Sequence, residues 1–426
     1  MSARPSERVD QARLWQRHEA MARLGATASG GVNRPALSDE DVAACRLLIR
    51  WGEALGMQAS RDLAGNVFLR LQGSDAAAAP VLSGSHLDSQ PTGGKYDGVY
   101  GVLAALEACE AIVESGGRPR RSIDVVAWMN EEGSRFAPGM MGSAVFAGER
   151  SLADIGASVD NGGESVAGAL ARVAATMADV QVRPLGGSVF AYVEAHIEQG
   201  PLLERMGKTI GVVSGIQGKR TFRVSVVGEA AHAGTSRRAE RRDALLAAVD
   251  MVKALAGHMH DPQDIVKFTV GQFTVTPNAP SVVPSAVSFS IDLRHPDSML
   301  LRQLGNAIEG LCREAAGPCE VRVQELSTAM SLEFPTGMRE CISAAAERLG
   351  LSHTELHSAA GHDARYLHGV CPSGMVFIPC HLGITHNEAE SITPAHAAAG
   401  ARGPDRRVGG TRGPARLRKI QPGDKQ

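Results

Sequence analysis

Apolar residues along this chain switch repeatedly between the spacing of a helix and that of a buried strand. Residues 8–24 and 39–56 carry apolar positions on one helical face, and Ser38 stands as an N-cap before Asp39 and Glu40. Residues 66–71 (NVFLRL) alternate as a strand, and VLSGS (81–85) is a short apolar run that reads as a buried strand ending at His86. A helix is predicted over 98–114, small and apolar on most faces. A second continuous apolar strand follows at 123–130 (IDVVAWMN) and ends at Glu131. Buried strands that alternate with helices predict an α/β layered catalytic domain on a mostly parallel sheet.

From about residue 213 the pattern changes. TFRVSVVGEA reads as a strand, and 241–257 places Leu245, Val249, Val252 and Leu255 on one helical face. IVKFTVGQFTV and AVSFSIDLR follow as strands, then a helix at 298–315 and the strand CEVRVQEL. This β-α-β-β-α-β order is that of a ferredoxin-like α+β unit, so 213–328 is expected to be an inserted domain. Helix 337–349 and strand 374–379 return to the α/β pattern, which makes the first domain discontinuous, 1–212 and 329–399. Residues 400–426 are rich in Gly, Pro and Arg with almost no apolar periodicity, and a disordered tail is expected there.

Composition narrows the function classes. The chain has 426 residues, 43% hydrophobic and 21% charged, enough apolar material for a sizeable core. A net charge of -2 offers no electrostatic case for nucleic acid or an anionic membrane. No apolar run approaches the ~18–20 residues of a membrane helix. Glu7, Asp10 and Glu19 interrupt the Arg-rich start, so no signal peptide is expected and the location reads as cytoplasmic. Seven cysteines without a C-x-x-C pair read as small buried hydrophobes in a reducing compartment.

The chemistry sits where apolar strands stop. His86 ends one strand, and Asp88 lies two residues on, on the same face of extended backbone, where its carboxylate can accept the imidazole's second N–H. Asp97 follows a Gly93-Gly94 turn and precedes a helix. Glu131 and Glu132 are adjacent carboxylates at the next strand end; they would repel unless a cation held one, leaving the other as a base. His196 follows the apolar VFAYVEA, with Glu198 and Gln199 close by, and His386 lies in the polar loop GITHNEAE. Taken singly, each histidine reads as readily as a satisfied structural residue. Together, His, Asp and Glu at four strand ends suit Zn²⁺ or Mn²⁺ better than an all-oxygen Mg²⁺ or Ca²⁺ cage.

The segments SHLDSQPTGGKYDGVYGVLAALE, NEEGSRF, HIEQGP, GEAAHAGTS, RRDAL, PNAPSVVP, DLRHP, GHDA and GITHNEAE, spread over about 10–395, resemble the M20-type metallo-amidohydrolases. Within these, they resemble the branch containing N-carbamoyl-L-amino-acid hydrolase, β-ureidopropionase and allantoate amidohydrolase. The resemblance implies two divalent metal ions per subunit, zinc first, with manganese, cobalt or nickel as alternatives. His86 and His196 would hold one, Glu132 and His386 the other, with Asp97 bridging and Glu131 as general base. It also implies that His232 stabilises an oxyanion, reaching into the site of the other subunit of a homodimer built through the insert. Gln199, Asn278 and Arg294 would grip a small carboxylate substrate, Arg294 by a bidentate pair, and Gly361 would offer backbone contacts.

Two departures stand out. The family continues past its last ligand histidine with a helix on the catalytic domain, whereas this chain turns Gly/Pro/Arg-rich soon after His386, so a truncated or replaced helix is expected. Ser285 stands where the family often carries Gly. The expected activity is cleavage of the N-carbamoyl C–N bond of N-carbamoyl amino acids to amino acid, CO2 and ammonia. Allantoate or a β-ureido acid at the same site is the alternative substrate. A catalytically weak metal-binding homologue is the alternative of another class.

Overall fold

The computed structural model describes residues 4–402. Its larger layer is a ten-stranded sheet, and four neighbouring strands form its middle. These are β1 (Val81–His86), β2 (Ile123–Trp128), β3 (Ala191–Ile197) and β4 (Ser373–Ile378), in the spatial order β4-β3-β1-β2 and all parallel. Nearly every residue in them is buried, as continuous apolar runs require. Outside the middle the sheet also contains antiparallel pairs. Strand Val67–Leu71 runs antiparallel to β2, and Ile210–Ile216 antiparallel to β4. The sheet is therefore mixed, a correction to the mostly parallel expectation. One further antiparallel pair has a local cause: Gln58–Arg61 and Val67–Leu71 are joined by a tight loop, which only antiparallel strands allow.

Strand Ile210–Ile216 also moves the boundary between the two layers. It belongs to the large sheet, so the second layer begins at Gly218 rather than at about 213. That layer is a five-stranded antiparallel sheet of Gly218–Val227, Lys267–Thr269, Phe273–Thr276, Ala286–His295 and Glu320–Ala329. Helices Ala244–His258 and Ser298–Glu314 supply Met251, Leu255, Leu301 and Ile308 to a core with Phe222, Val224, Phe289 and Ile291. Burial alternates along Ala286–His295, as one covered face dictates. Short helices at Met141–Phe146, Leu152–Gly156 and Val166–Thr176 lie outside the elements expected from the sequence pattern.

Helix α1 (Val99–Glu114) packs its small apolar faces on the middle strands. Its buried Glu107 accepts from Arg13 and Arg17 of helix Gln11–Ala22. Across α1 lies α2 (Pro394–Ala401), capped by Thr393, whose Ala397 carbonyl accepts a 3.1 Å hydrogen bond from the Tyr100 hydroxyl. A short helix does follow the last candidate ligand histidine, in keeping with the truncated or replaced helix expected there: small alanines let the eight residues of α2 pack closely on α1 and Tyr100. It also runs past residue 399. The rest of the expected tail, from 403 on, lies outside the described residues.

Candidate metal centre

The strand ends converge because β1–β4 are parallel neighbours, the usual site position in open α/β sheets. His86 is the last residue of β1. His196 stands inside β3 rather than after it, next to its last residue Ile197. Glu131 and Glu132 follow β2, and His386 follows β4. A buried tie fixes the register, with Trp128 Nε1 donating to the Tyr192 hydroxyl and that hydroxyl to the Gly84 carbonyl, at 3.0 and 2.9 Å.

Two trios share one carboxylate. His86, Asp97 and His196 offer ligand atoms within 4.8 Å of one another, and so do Asp97, Glu132 and His386. Asp97 Oδ1 faces Nε2 of His196 at 3.2 Å and of His86 at 3.8 Å, while Oδ2 faces His386 Nε2 at 3.4 Å. Glu132 Oε2 is also 3.4 Å from His386 Nε2. The Nδ1 atoms of His86 and His196 each lie 2.9 Å from a backbone carbonyl, of Asp88 and Ile197. Those carbonyls can only accept, so each Nδ1 carries a proton; Nε2 turns a lone pair toward Asp97 when the ring is neutral and donates to it when the ring is protonated. Acceptors facing each other at such distances need a positive charge between them. The donor set therefore fits a pair of divalent cations.

Gly98 makes the close approach feasible. Its φ of 67° suits glycine, and a Cβ there would lie 2.3 Å from His86 Nε2. Asp88 acts differently from expectation. Its backbone carbonyl, not its carboxylate, takes the His86 ring proton. The carboxylate instead accepts the backbone N–H groups of Glu131 and Glu132, each at 3.2 Å. It therefore holds the turn that carries both glutamates.

The electrostatics are those of a crowded anionic pocket. Burial, then the fields of Asp363 and Glu132, push Glu131 well above the usual carboxylate range. Glu132 rises through burial and the nearby Asp97 and Asp88. Burial also opposes ionisation of Asp97, but the His196 hydrogen bond and the surrounding histidines hold it well below its ordinary value. Burial pulls His86 down to about 4. Glu131 Oε2 lies 3.5 Å from His86 Nε2, at the edge of the first trio.

Several supporting residues lie outside the set expected from the sequence. Glu390 accepts from the Tyr96 and Asp97 backbone N–H groups at 2.8 and 3.0 Å, and from the Thr385 hydroxyl at 3.0 Å. Gln90 donates to Glu132 at 2.8 Å. The buried Arg34 donates to the Leu87 carbonyl at 2.6 Å. Glu194, His196 and His362 form a third close group, in which Glu194 accepts from Ser85 and the Ala364 N–H. Glu194 was legible in principle: it stands two residues before His196 on one strand, so both side chains share a face.

The expected substrate residues divide. Gln199 joins the centre, donating to Asp97 Oδ2 at 2.9 Å. Arg294 stands on the second sheet, paired with Asp292 at 2.8 Å and donating to the Ala359 carbonyl at 3.1 Å, beside the loop that carries Gly361. Asn278 is exposed, with φ of 53°. His232 is exposed on a two-residue strand paired with Val282–Val283, and makes no hydrogen bond or ion pair to the centre among the described residues. Its Nδ1 accepts from the Gly234 and Thr235 N–H groups, which leaves Nε2 as the donor.

The family described as peptidase family M20/M25/M40 matches residues 82–403, the span that carries every candidate ligand and expected substrate residue. An N-carbamoyl-L-amino-acid amidohydrolase of Rhizobium meliloti is 39% identical over 405 residues, 94% of this chain and 96% of that protein. The allantoate amidohydrolase of Bacillus subtilis (strain 168) is 34% identical over 392 residues, 90% of this chain and 93% of that protein. The crystal structure of an amidase of the hydantoinase/carbamoylase family from Burkholderia multivorans superposes with a TM-score of 0.85 at 43% identity, covering 93% of this chain and 96% of that one.

Proposed function

We propose, since the chain belongs to peptidase family M20/M25/M40, that it is a metal-dependent amidohydrolase acting on N-carbamoyl amino acids. Water cleaves the ureido C–N bond, and amino acid, CO2 and ammonia result. The observation that carries this is the sharing of Asp97 by two histidine–carboxylate trios with Glu131 at their edge. His86 and His196 would hold one cation, Glu132 and His386 the other, and Asp97 would lie between them. When bound, such a pair supplies Lewis acidity, polarising a carbonyl and letting water ionise near neutral pH.

The chain's own groups do the rest. Glu131 takes the proton of the attacking water and delivers it to the departing nitrogen, the work of a general base that turns acid. Asp88 keeps Glu131 and Glu132 in place through their backbone. Gln199, Asn278, Arg294 and Gly361 bind the substrate, with the Arg294 guanidinium meeting its carboxylate. His232 donates from Nε2 to the oxyanion. Because it is exposed and makes no hydrogen bond to the centre among the described residues, it is assigned to a neighbouring subunit's site in a homodimer formed through the second layer, residues 218–329. Zinc is the first choice of metal, with manganese, cobalt or nickel as substitutes. Seven free thiols support a reducing, cytoplasmic setting. Among the described residues, no helix is long and apolar enough to cross a membrane.

A panel of N-carbamoyl-α-amino acids, N-carbamoyl-β-alanine and allantoate, offered to metal-reconstituted enzyme, tests the reading. Fastest turnover of the α-amino derivatives is expected. Preference for allantoate would move the assignment to the second reading, which the similarity to the Bacillus subtilis enzyme favours. Protein purified without chelator should retain metal; metal-free protein would instead point to a catalytically weak homologue.

A further inference from the structure

A cleft of about 380 Å³ opens beside the loop that carries Asp97, between helix Gln11–Ala22 and the Gly30-Gly31 turn. This volume lies at the low end of the ~300–1,000 Å³ typical of ligand pockets. Trp15 and Tyr96 stack in its wall, ring centroids 5.6 Å apart and 22° from parallel. His18 lines its inner side, stacked on Tyr100 and tilted against Tyr96, with neither ring nitrogen hydrogen-bonded among the described residues. Burial keeps that imidazole neutral, so the inner surface is aromatic and uncharged.

Charge is confined to the rim. Arg23, Lys95 and Glu19 line the cleft, and none of the three side chains makes an ion pair or hydrogen bond among the described residues. Glu19 and Arg23 have the i,i+4 spacing at which helical pairs normally close, yet this pair stays open. Two free cations, one free anion and an aromatic wall match a zwitterion with an apolar tail.

We propose that this cleft is a second binding site for a free α-amino acid with an apolar side chain. Its carboxylate meets Arg23 and Lys95, its ammonium meets Glu19, and its side chain packs on Trp15 and Tyr96. Occupancy reaches the metal centre through the backbone, because the Tyr96 and Asp97 N–H groups both bond to Glu390 Oε1. A ligand pressing on Tyr96 therefore acts on the carboxylate that both trios share. That such an acid is also the enzyme's product rests on the reaction proposed above; the binding itself does not.

The test uses metal-loaded protein, L-leucine, 4-methylpentanoate (no ammonium) and 3-methylbutylamine (no carboxylate). Trp15 is one of three tryptophans and reports binding by fluorescence. L-Leucine should bind more tightly than either analogue. Arg23→Gln should weaken leucine and 4-methylpentanoate at least tenfold, and Glu19→Gln should weaken leucine and the amine but spare 4-methylpentanoate. Both variants should keep KM and kcat without leucine within twofold, and melting by circular dichroism checks that each folds. Leucine binding unchanged in both folded variants would overturn the site. So would a fluorescence change that the three ligands share equally. Absence of turnover with N-carbamoyl substrates would overturn the reaction alone, since the fluorescence titration does not depend on it.

Discussion

The two trios meeting at Asp97 use the same kinds of side chain but are held in different ways. His86 and His196 stand on strands, are almost wholly buried, and fix their rings by Nδ1 contacts to main-chain carbonyls. His386 stands in a loop with a φ of 51°, its side chain 47% exposed. That loop is held by side chains from elsewhere. The Thr27 hydroxyl bonds to Glu388, and Thr385 reaches Asp97 and Glu390 at 2.9 and 3.0 Å. The first trio thus inherits its geometry from sheet register, which is hard to change locally. The second depends on a few polar contacts, so its affinity can be altered without disturbing the fold.

Asp97→Asn should have the largest effect, because both trios lose their common charge. Metal content after dialysis should fall to background and activity with it; retention of one equivalent would show that the trios do not share a ligand. Glu131→Gln should cut turnover by about 10²–10⁴-fold while leaving metal content unchanged. Wild-type-like rates would remove it as the base. Thr27→Val or Glu388→Gln should separate the trios. Affinity for the second equivalent of metal, followed by calorimetric titration, should fall about 10–100-fold and that for the first should stay. Equal loss of both would mean that the loop is not an independent holder.

Smaller effects are expected away from the centre. Arg294→Ala removes one charged partner, worth roughly 1.5–3 kcal/mol, so KM for carboxylate substrates should rise at least about tenfold. KM for neutral amides should barely move; a matching rise would place Arg294 outside the substrate site. Acid stability offers a control on the centre. Burial holds His18 near 3, below its ordinary 6.5. The unfolded chain takes up that proton first, so the contribution is present above about 6.5 and is lost progressively as pH falls toward about 3, by at most ~1.4 kcal/mol per pH unit. His18→Phe should lose less stability than wild type between pH 7 and 5 in urea titrations. An identical pH dependence would assign acid sensitivity to other groups, the metal centre among them.

What is legible along the chain, and what is not, follows the same division. His86 and the paired glutamates are legible because each stands where an apolar run ends, and such a run reads as a buried strand; Asp97, His196 and His386 are singled out by their Gly-rich or polar context and by the family resemblance. Asp88 is legible as a site residue, but its role is not. Spacing places it on the His86 face, yet only the fold brings the Glu131 and Glu132 N–H groups to its carboxylate. Glu390 and Arg34 act mainly through backbone groups, which leave no pattern in the sequence.

Most of the buried strands and long helices, candidate cation-holding residues and a change of pattern near 213 were legible in the sequence, through periodicity, the cost of burying charge and resemblance to a family. Tertiary structure decided the rest. It set the antiparallel edges of the large sheet and the packing of α2. It placed Asp97 between histidines from three other segments, and it left His232 and Asn278 exposed. The reason is physical. Periodicity reports which face of an element is buried, but not which distant segment covers it, and hydrogen bonds such as Tyr96 to Glu390 join positions far apart in the chain.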